Sequence, residues 1–258
     1  MPFADLRELR THYALTGDAP PVLMFSNSLG TNFSMWDPQI PALQSHFRIL
    51  RYDTRGHGQS SVPPGDCTIE QLGRDVTNLL DALHLDRVHF CGLSIGGMIG
   101  MWLGIHAPNR LHRLVLCNTA ARIGTKEMWN ARIAAVRADG TKSVAASVVE
   151  RWFTPQFRAS FPDKVAQARQ MIEDSPTEGY AACCAAIRDM DQRAAIAQIK
   201  TPTLVIYGGS DPVIPVPEAQ FVANQISGAV QLELPAAHLS NIEQPGAFTE
   251  AVKSFLSK

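Results

Sequence analysis

Short apolar runs recur along the chain, with longer mixed segments between them. PVLMFSN (21–27), FRILRYD (47–53), RVHFCGLS (87–94), RLVLCNT (113–119), TLVIYGG (203–209) and VQLELP (230–235) each have the length of a strand. Most are near-continuous in apolar residues, the pattern of strands covered on both faces. TIEQLGRDVTNLLDALHL (68–85) and PEAQFVANQIS (217–227) instead space their apolar residues as helices do. Strand and helix alternate. That predicts an α/β fold with a mostly parallel central sheet, helices on both faces and right-handed crossovers.

One interval breaks the alternation. From about 120 to 195 no strand pattern appears, and KEMWNARIAAVRA, KSVAASVVERWF, DKVAQARQMIED and EGYAACCAAIRDM all read as helices. A run of helices between two strands of one sheet is most simply an insertion. We expect a core formed by 1–119 and 196–258, with 120–195 lying over the sheet as a helical cap. A chain of 258 residues is long enough for such a core.

Composition narrows the class. The chain is 45% hydrophobic and 18% charged, ordinary for a soluble globular protein. Its net charge is −1 and no block of like charge appears, so neither nucleic acid nor an anionic membrane is an expected partner. No apolar stretch is long enough to span a bilayer. The N-terminal MPFADLRELRTHYALTG lacks the basic start and apolar run of a secretory signal. Five cysteines with no CxxC pair read as reduced thiols used as small hydrophobes, which predicts a cytoplasmic protein. No metal-ligand cluster or phosphate loop is evident, and no cofactor is expected. The sequence does not fix an oligomeric state.

The chemistry centres on HFCGLSIGGMIG (89–100). Gly92-Leu93-Ser94-Ile95-Gly96 is a G-x-S-x-G pattern after a strand and before a helix. In that context the middle residue sits on a sharp, strained turn that holds its hydroxyl at the carboxyl end of the sheet. The plain alternative is a serine N-cap. A serine nucleophile needs a base and an orienting acid, which in this arrangement follow it in the order acid, histidine. Asp211 lies just past the strand TLVIYGG, and His238 just past VQLELP. Both are at carboxyl strand ends, where open parallel sheets place their sites. Oxyanion donors are expected from the backbone N–H of Ile95 and, in the loop FSNSLGTNFSMW, of Leu29.

Taken together, GLSIGG, GGSDPVIP, AAHLSNIEQP and YDTRGHGQSS (52–61) make the chain resemble the α/β-hydrolase fold from its first strand to its end. More narrowly, FSNSLGTNFSMWDPQIPAL, RYDTRGHGQSS and HFCGLSIGGMIGMWLG resemble the β-ketoadipate enol-lactone hydrolases of aromatic catabolism. Asn27-Ser28 stands where many hydrolases of this fold have His-Gly, which narrows the match to that group. Relatives that open epoxides or remove halides carry Asp at the position of Ser94. The DTRGHG segment, with Asp53, Arg55 and His57, reads as a structural loop.

The resemblance implies a small substrate, a five-membered enol lactone carrying a carboxylate. Ser94 would be the nucleophile, His238 the base and Asp211 its orienting acid. A carboxylate leaving water must be paired, and arginine suits it best. Residues 120–195 offer Arg122, Arg132, Arg137 and Arg151. We expect Arg132, one helical turn from Trp129, to bind substrate, with Trp129 and Trp152 lining the pocket. A carboxylesterase, a carbon–carbon bond hydrolase and a ligand receptor that keeps the triad are the alternatives at this point.

Overall fold

The computed structural model describes residues 2–258. Eight strands form one sheet: β1 (Phe3–Asp5), β2 (Arg10–Thr16), β3 (Val22–Ser26), β4 (Arg48–Tyr52), β5 (Val88–Leu93), β6 (Leu111–Cys117), β7 (Thr203–Gly208) and β8 (Val230–Leu234). Their order is β1-β2-β4-β3-β5-β6-β7-β8. The pairs β1–β2 and β2–β4 are antiparallel, and every pair from β4 to β8 is parallel. The six apolar runs correspond to β3–β8. β5 and β7 are buried at all six positions, as central strands with helices on both faces should be. β8 is the exception: it is the edge strand, and only Leu234 is fully buried.

The antiparallel β1 and β2 have no counterpart among those runs. β1 is three residues long, and β2 carries Arg10, Thr11 and His12 in its first half. His12 is buried nonetheless, because its Nδ1 lies 2.7 Å from the Asp53 carboxylate. A polar residue buried through a partner elsewhere in the chain leaves no apolar pattern to read.

The helices are α1 (Ile40–Leu43), α2 (Ile69–Ala82), α3 (Ile95–His106), α4 (Lys126–Asp139), α5 (Lys142–Trp152), α6 (Pro155–Ser160), α7 (Pro162–Glu173), α8 (Thr177–Asp189), α9 (Val216–Gln225), α10 (Ser240–Glu243) and α11 (Pro245–Leu256). α2 starts at a capping box in which Thr68 and Gln71 satisfy each other's backbone N–H groups. It stops three residues before the expected end, where His84 takes a φ of 54°. α3 is mostly buried, in contact with β5 and β6. Between β6 and β7 the chain makes five helices and no strand. Four were expected; α6 is too short to show a period. α4 packs on α8, and α5 on α7.

Candidate active site

β5 runs straight into α3 through Ser94, whose φ of 59° and ψ of −117° are rarely taken by a residue with a side chain. Such a conformation costs on the order of 1–3 kcal/mol and persists only where its surroundings fix it. Here the Ser94 N–H donates to Cys117 O at 2.9 Å, and Thr119 Oγ1 donates to Ser94 O at 2.8 Å. The glycines permit the turn by close approach. A Cβ on Gly92 would lie 2.1 Å from Gly96 O, and one on Gly96 would lie 2.2 Å from Ser26 O. Ser94 occupies the N-cap position of α3, but its hydroxyl makes no capping hydrogen bond. The hydroxyl faces a cavity instead.

Asp211 follows β7 by three residues. Its Oδ1 accepts from the N–H groups of Val213 (2.8 Å) and Ile214 (3.0 Å). Its Oδ2 accepts from His238 Nδ1 (2.9 Å) and Asn118 Nδ2 (2.9 Å). Burial pushes the Asp211 carboxyl upward, but the His238 charge and the hydrogen bonds from His238, Asn118 and Ile214 outweigh it, and the group stays below the ordinary aspartate value. It is therefore a carboxylate held for the histidine.

His238 sits in the loop between β8 and α10, almost fully buried. Glu243 anchors that loop, accepting from Ala237 N–H at 2.9 Å and from the Thr154 hydroxyl. Leu239 N–H donates to Trp152 O at 3.0 Å, so the histidine loop is tied to α5. With Nδ1 turned to Asp211, the ring's other nitrogen is left for the cavity that Ser94 also lines. The two side chains are not hydrogen-bonded to each other, a common condition without substrate.

Leu29 lines this space and Ile95 directly follows Ser94; among the described residues neither backbone N–H has an acceptor. The Leu29 loop is fixed from behind. Asn27 Nδ2 donates to Tyr52 O, Trp36 Nε1 donates to Asn27 Oδ1, and Gly30 N–H donates to His57 Nε2 at 3.0 Å. Burial lowers the His57 pKa, which keeps Nε2 an acceptor. The DTRGHG segment is thus a brace: Asp53 takes Phe33 N–H and Gln59 N–H, and Arg55 pairs bidentately with Asp75.

The cavity measures about 580 Å³ and is walled by α4, α5 and α8 opposite Ser94 and His238. Trp129, Arg132, Arg151 and Trp152 all line it. The arginines divide sharply. Arg137 turns away and pairs with Asp66 (3.0 Å) and Glu178 (3.1 Å). Arg122 and Arg193 reach the cavity but share Asp191, at 4.0 and 2.6 Å. Arg132 and Arg151 have no carboxylate within 4.0 Å among the described residues. The Arg132 guanidinium lies 5.7 Å from the Trp129 ring centroid and donates to Tyr180 Oη at 3.3 Å. The Arg151 pKa is lowered by burial and then by the charge of Arg132. Asn118, Glu243, Arg193 and Tyr180 were not singled out from the sequence. For Asn118 a signal existed, since it directly follows a parallel strand at its carboxyl end.

Residues 21–245 match the profile of the alpha/beta hydrolase fold. The chain belongs to the alpha/beta hydrolase family. Among curated members, this hydrolase is 43% identical to 3-oxoadipate enol-lactonase 2 of Acinetobacter baylyi over 253 residues, 98% of this chain and 95% of that one. It is 42% identical to 3-oxoadipate enol-lactonase 1 of the same organism, over 92% of this chain and 88% of that one. Among solved structures, the enol-lactonase from Burkholderia xenovorans superposes with a TM-score of 0.98 at 44% identity, with both chains fully covered. No helix among the described residues is long and apolar enough to cross a membrane.

Proposed function

We propose that this hydrolase opens 3-oxoadipate enol-lactone to 3-oxoadipate (β-ketoadipate). The observation that carries the reading is the pair Arg132 and Arg151, two guanidiniums without acid partners facing the cavity of a serine, histidine and aspartate. Two half-buried like charges left together without an acid call for an anion. The enol lactone of 3-oxoadipate supplies one: its five-membered ring carries a carboxymethyl group. The likeness to curated 3-oxoadipate enol-lactonases over nearly the whole chain supports the same substrate.

Ser94 Oγ attacks the ring carbonyl carbon while His238 accepts the hydroxyl proton. Asp211 holds the imidazole and stabilises its charged form. The N–H groups of Leu29 and Ile95 receive the oxyanion, and removal of one such donor typically costs about 100- to 1000-fold in rate. Collapse of the intermediate breaks the ring C–O bond. The leaving oxygen takes that proton back from His238, departs as an enol and tautomerises to the ketone. Water then gives its proton to His238 and attacks the acyl-serine, releasing 3-oxoadipate and restoring Ser94. No step calls for a metal or an organic cofactor. Residues 120–195 act as the cap that supplies Trp129, Arg132 and Trp152 to a core of 1–119 and 196–258. We place the reaction in the cytoplasm, in keeping with five free, buried thiols.

The test is a turnover panel of lactones, simple esters and dienoate ketones. The reading expects the carboxymethyl enol lactone to have the highest kcat/KM. A neutral ester or a dienoate ketone turned over faster would overturn it.

A further inference from the structure

α8 makes contacts that the reaction above does not use. Its first turn meets the brace loop backbone to backbone: a Cβ on Gly179 would lie 2.0 Å from Gly56 O. The next residue, Tyr180, is buried, with its ring against the oxyanion loop. A Cβ on Gly30 would sit 3.0 Å from Tyr180 Cε2. At the same end of that ring, next to Cε2, Tyr180 Oη accepts from Arg132 at 3.3 Å. Gly30 is bonded to Leu29, and its own N–H is held by His57, whose ring lies 6.4 Å from that of Tyr180. One side chain therefore touches both the arginine facing the cavity and the loop that carries Leu29.

We propose that Tyr180 is a positioning residue that couples carboxylate binding at Arg132 to the geometry of the Leu29 oxyanion donor. The inference rests on the substrate reading above. A carboxylate on Arg132 fixes the guanidinium, and the guanidinium fixes the Tyr180 hydroxyl. The ring then holds Gly30 and Leu29 where the oxyanion forms. Binding energy from a part of the substrate that does not react is thereby expressed in the chemical step. Gly179 and Gly56 meet backbone to backbone, which leaves the first turn of α8 no room to close further on the brace loop. A substrate without the carboxylate binds the same cavity but leaves this link slack.

The test is a double-mutant cycle of Tyr180→Phe and Arg132→Ala, read on two substrates. One is the carboxymethyl enol lactone; the other is the methyl enol lactone that lacks the carboxylate. Phenylalanine keeps the ring on Gly30 and removes only the acceptor. Tyr180→Phe is expected to lower the charged-to-neutral ratio of kcat about tenfold, with KM for the charged lactone changed by less than about twofold. In the Arg132→Ala background it should lower that ratio no further, because the link is already cut. Equal losses on both lactones, or effects that simply add, would make Tyr180 a packing residue and overturn the proposal. If wild type prefers the charged lactone and Tyr180→Phe leaves the ratio intact, the coupling alone falls. If wild type shows no such preference, the substrate reading fails and the coupling falls with it.

Discussion

Asn118 donates from Nδ2 to Asp211 Oδ2, the same oxygen that accepts from His238 Nδ1, at 2.9 Å in both cases. The asparagine is itself fixed. Its φ is 44°, its Nδ2 also donates to Ala237 O at 3.1 Å, and its Oδ1 accepts from Ser240 Oγ at 2.6 Å. One side chain at the end of β6 thus joins the carboxylate after β7 to the histidine loop after β8.

Asn118→Leu should therefore weaken the acid without removing it. Asp211 loses a hydrogen bond to its ionised form, and its pKa rises. The Asp211–His238 pair then holds its proton more tightly, and the acidic limb of kcat/KM moves to higher pH. We expect kcat to fall roughly tenfold, since three other donors remain on Asp211. An unchanged rate with an unmoved acidic limb would make Asn118 a loop support only.

At Ser94, strain and chemistry separate by substitution. Ser94→Ala should abolish both turnover and labelling by a fluorophosphonate probe. Ser94→Gly should abolish both as well, yet raise stability by about 1 kcal/mol by relieving the positive φ. The comparison is the melting temperature of Gly against Ala at that position. Labelling that persists in either variant would remove Ser94 as the nucleophile.

Stability should fall on mild acidification through two buried histidines, His89 and His57. His89 is buried with no partner for Nδ1, and burial, then His112 and Arg113, push its pKa down to about 4. His57 is lowered by burial, and its Nε2 must stay unprotonated to accept from Gly30. For both, the unfolded chain binds the proton first, at its ordinary value near 6.5. Their contribution is complete above pH ~6.5 and is lost as the pH falls through their depressed values, about 4 for His89. Asp211 works in the same sense but lower on the pH scale: the fold favours its carboxylate, and that contribution is lost as the pH falls through its depressed pKa. His89→Leu should flatten the decline of melting temperature between pH ~6.5 and ~4. A slope equal to wild type would assign the decline elsewhere.

The parts of the molecule legible in the sequence were those written in local pattern. β3 to β8 showed because continuous apolar runs follow from burial on both faces. Ser94, Asp211 and His238 could be singled out because each stands just past such a run. β2 did not, since its buried His12 depends on Asp53, forty-one positions away. Arg132 and Arg137 lie on one helix and look alike in sequence. What separates them is that Asp66 and Glu178, from distant parts of the chain, pair with Arg137 and not with Arg132. Arg151 joins Arg132 by the same kind of long-range placement.

That placement makes the cavity a local positive field in a chain whose net charge is −1. Arg122, Arg132, Arg151 and Arg193 line it, against Glu218 in the lining and Asp191 behind Arg122 and Arg193. An anionic lactone should be drawn in, and salt should weaken the attraction as the screening length falls from ~30 Å at 0.01 M to well under 10 Å at several tenths molar. We expect kcat/KM for the carboxymethyl lactone to fall several-fold across that range, mainly through KM, with little change for the methyl lactone. Arg151→Ala should lower kcat/KM on the charged lactone by roughly 10- to 150-fold, the loss of one charge-assisted hydrogen bond, and should also flatten the salt dependence. Arg137→Ala, which removes a charge already paired outside the cavity, serves as the control and should do neither. If Arg151→Ala and Arg137→Ala behave alike, the unpaired guanidiniums do not select the substrate, and the carboxylate is met elsewhere in the cavity.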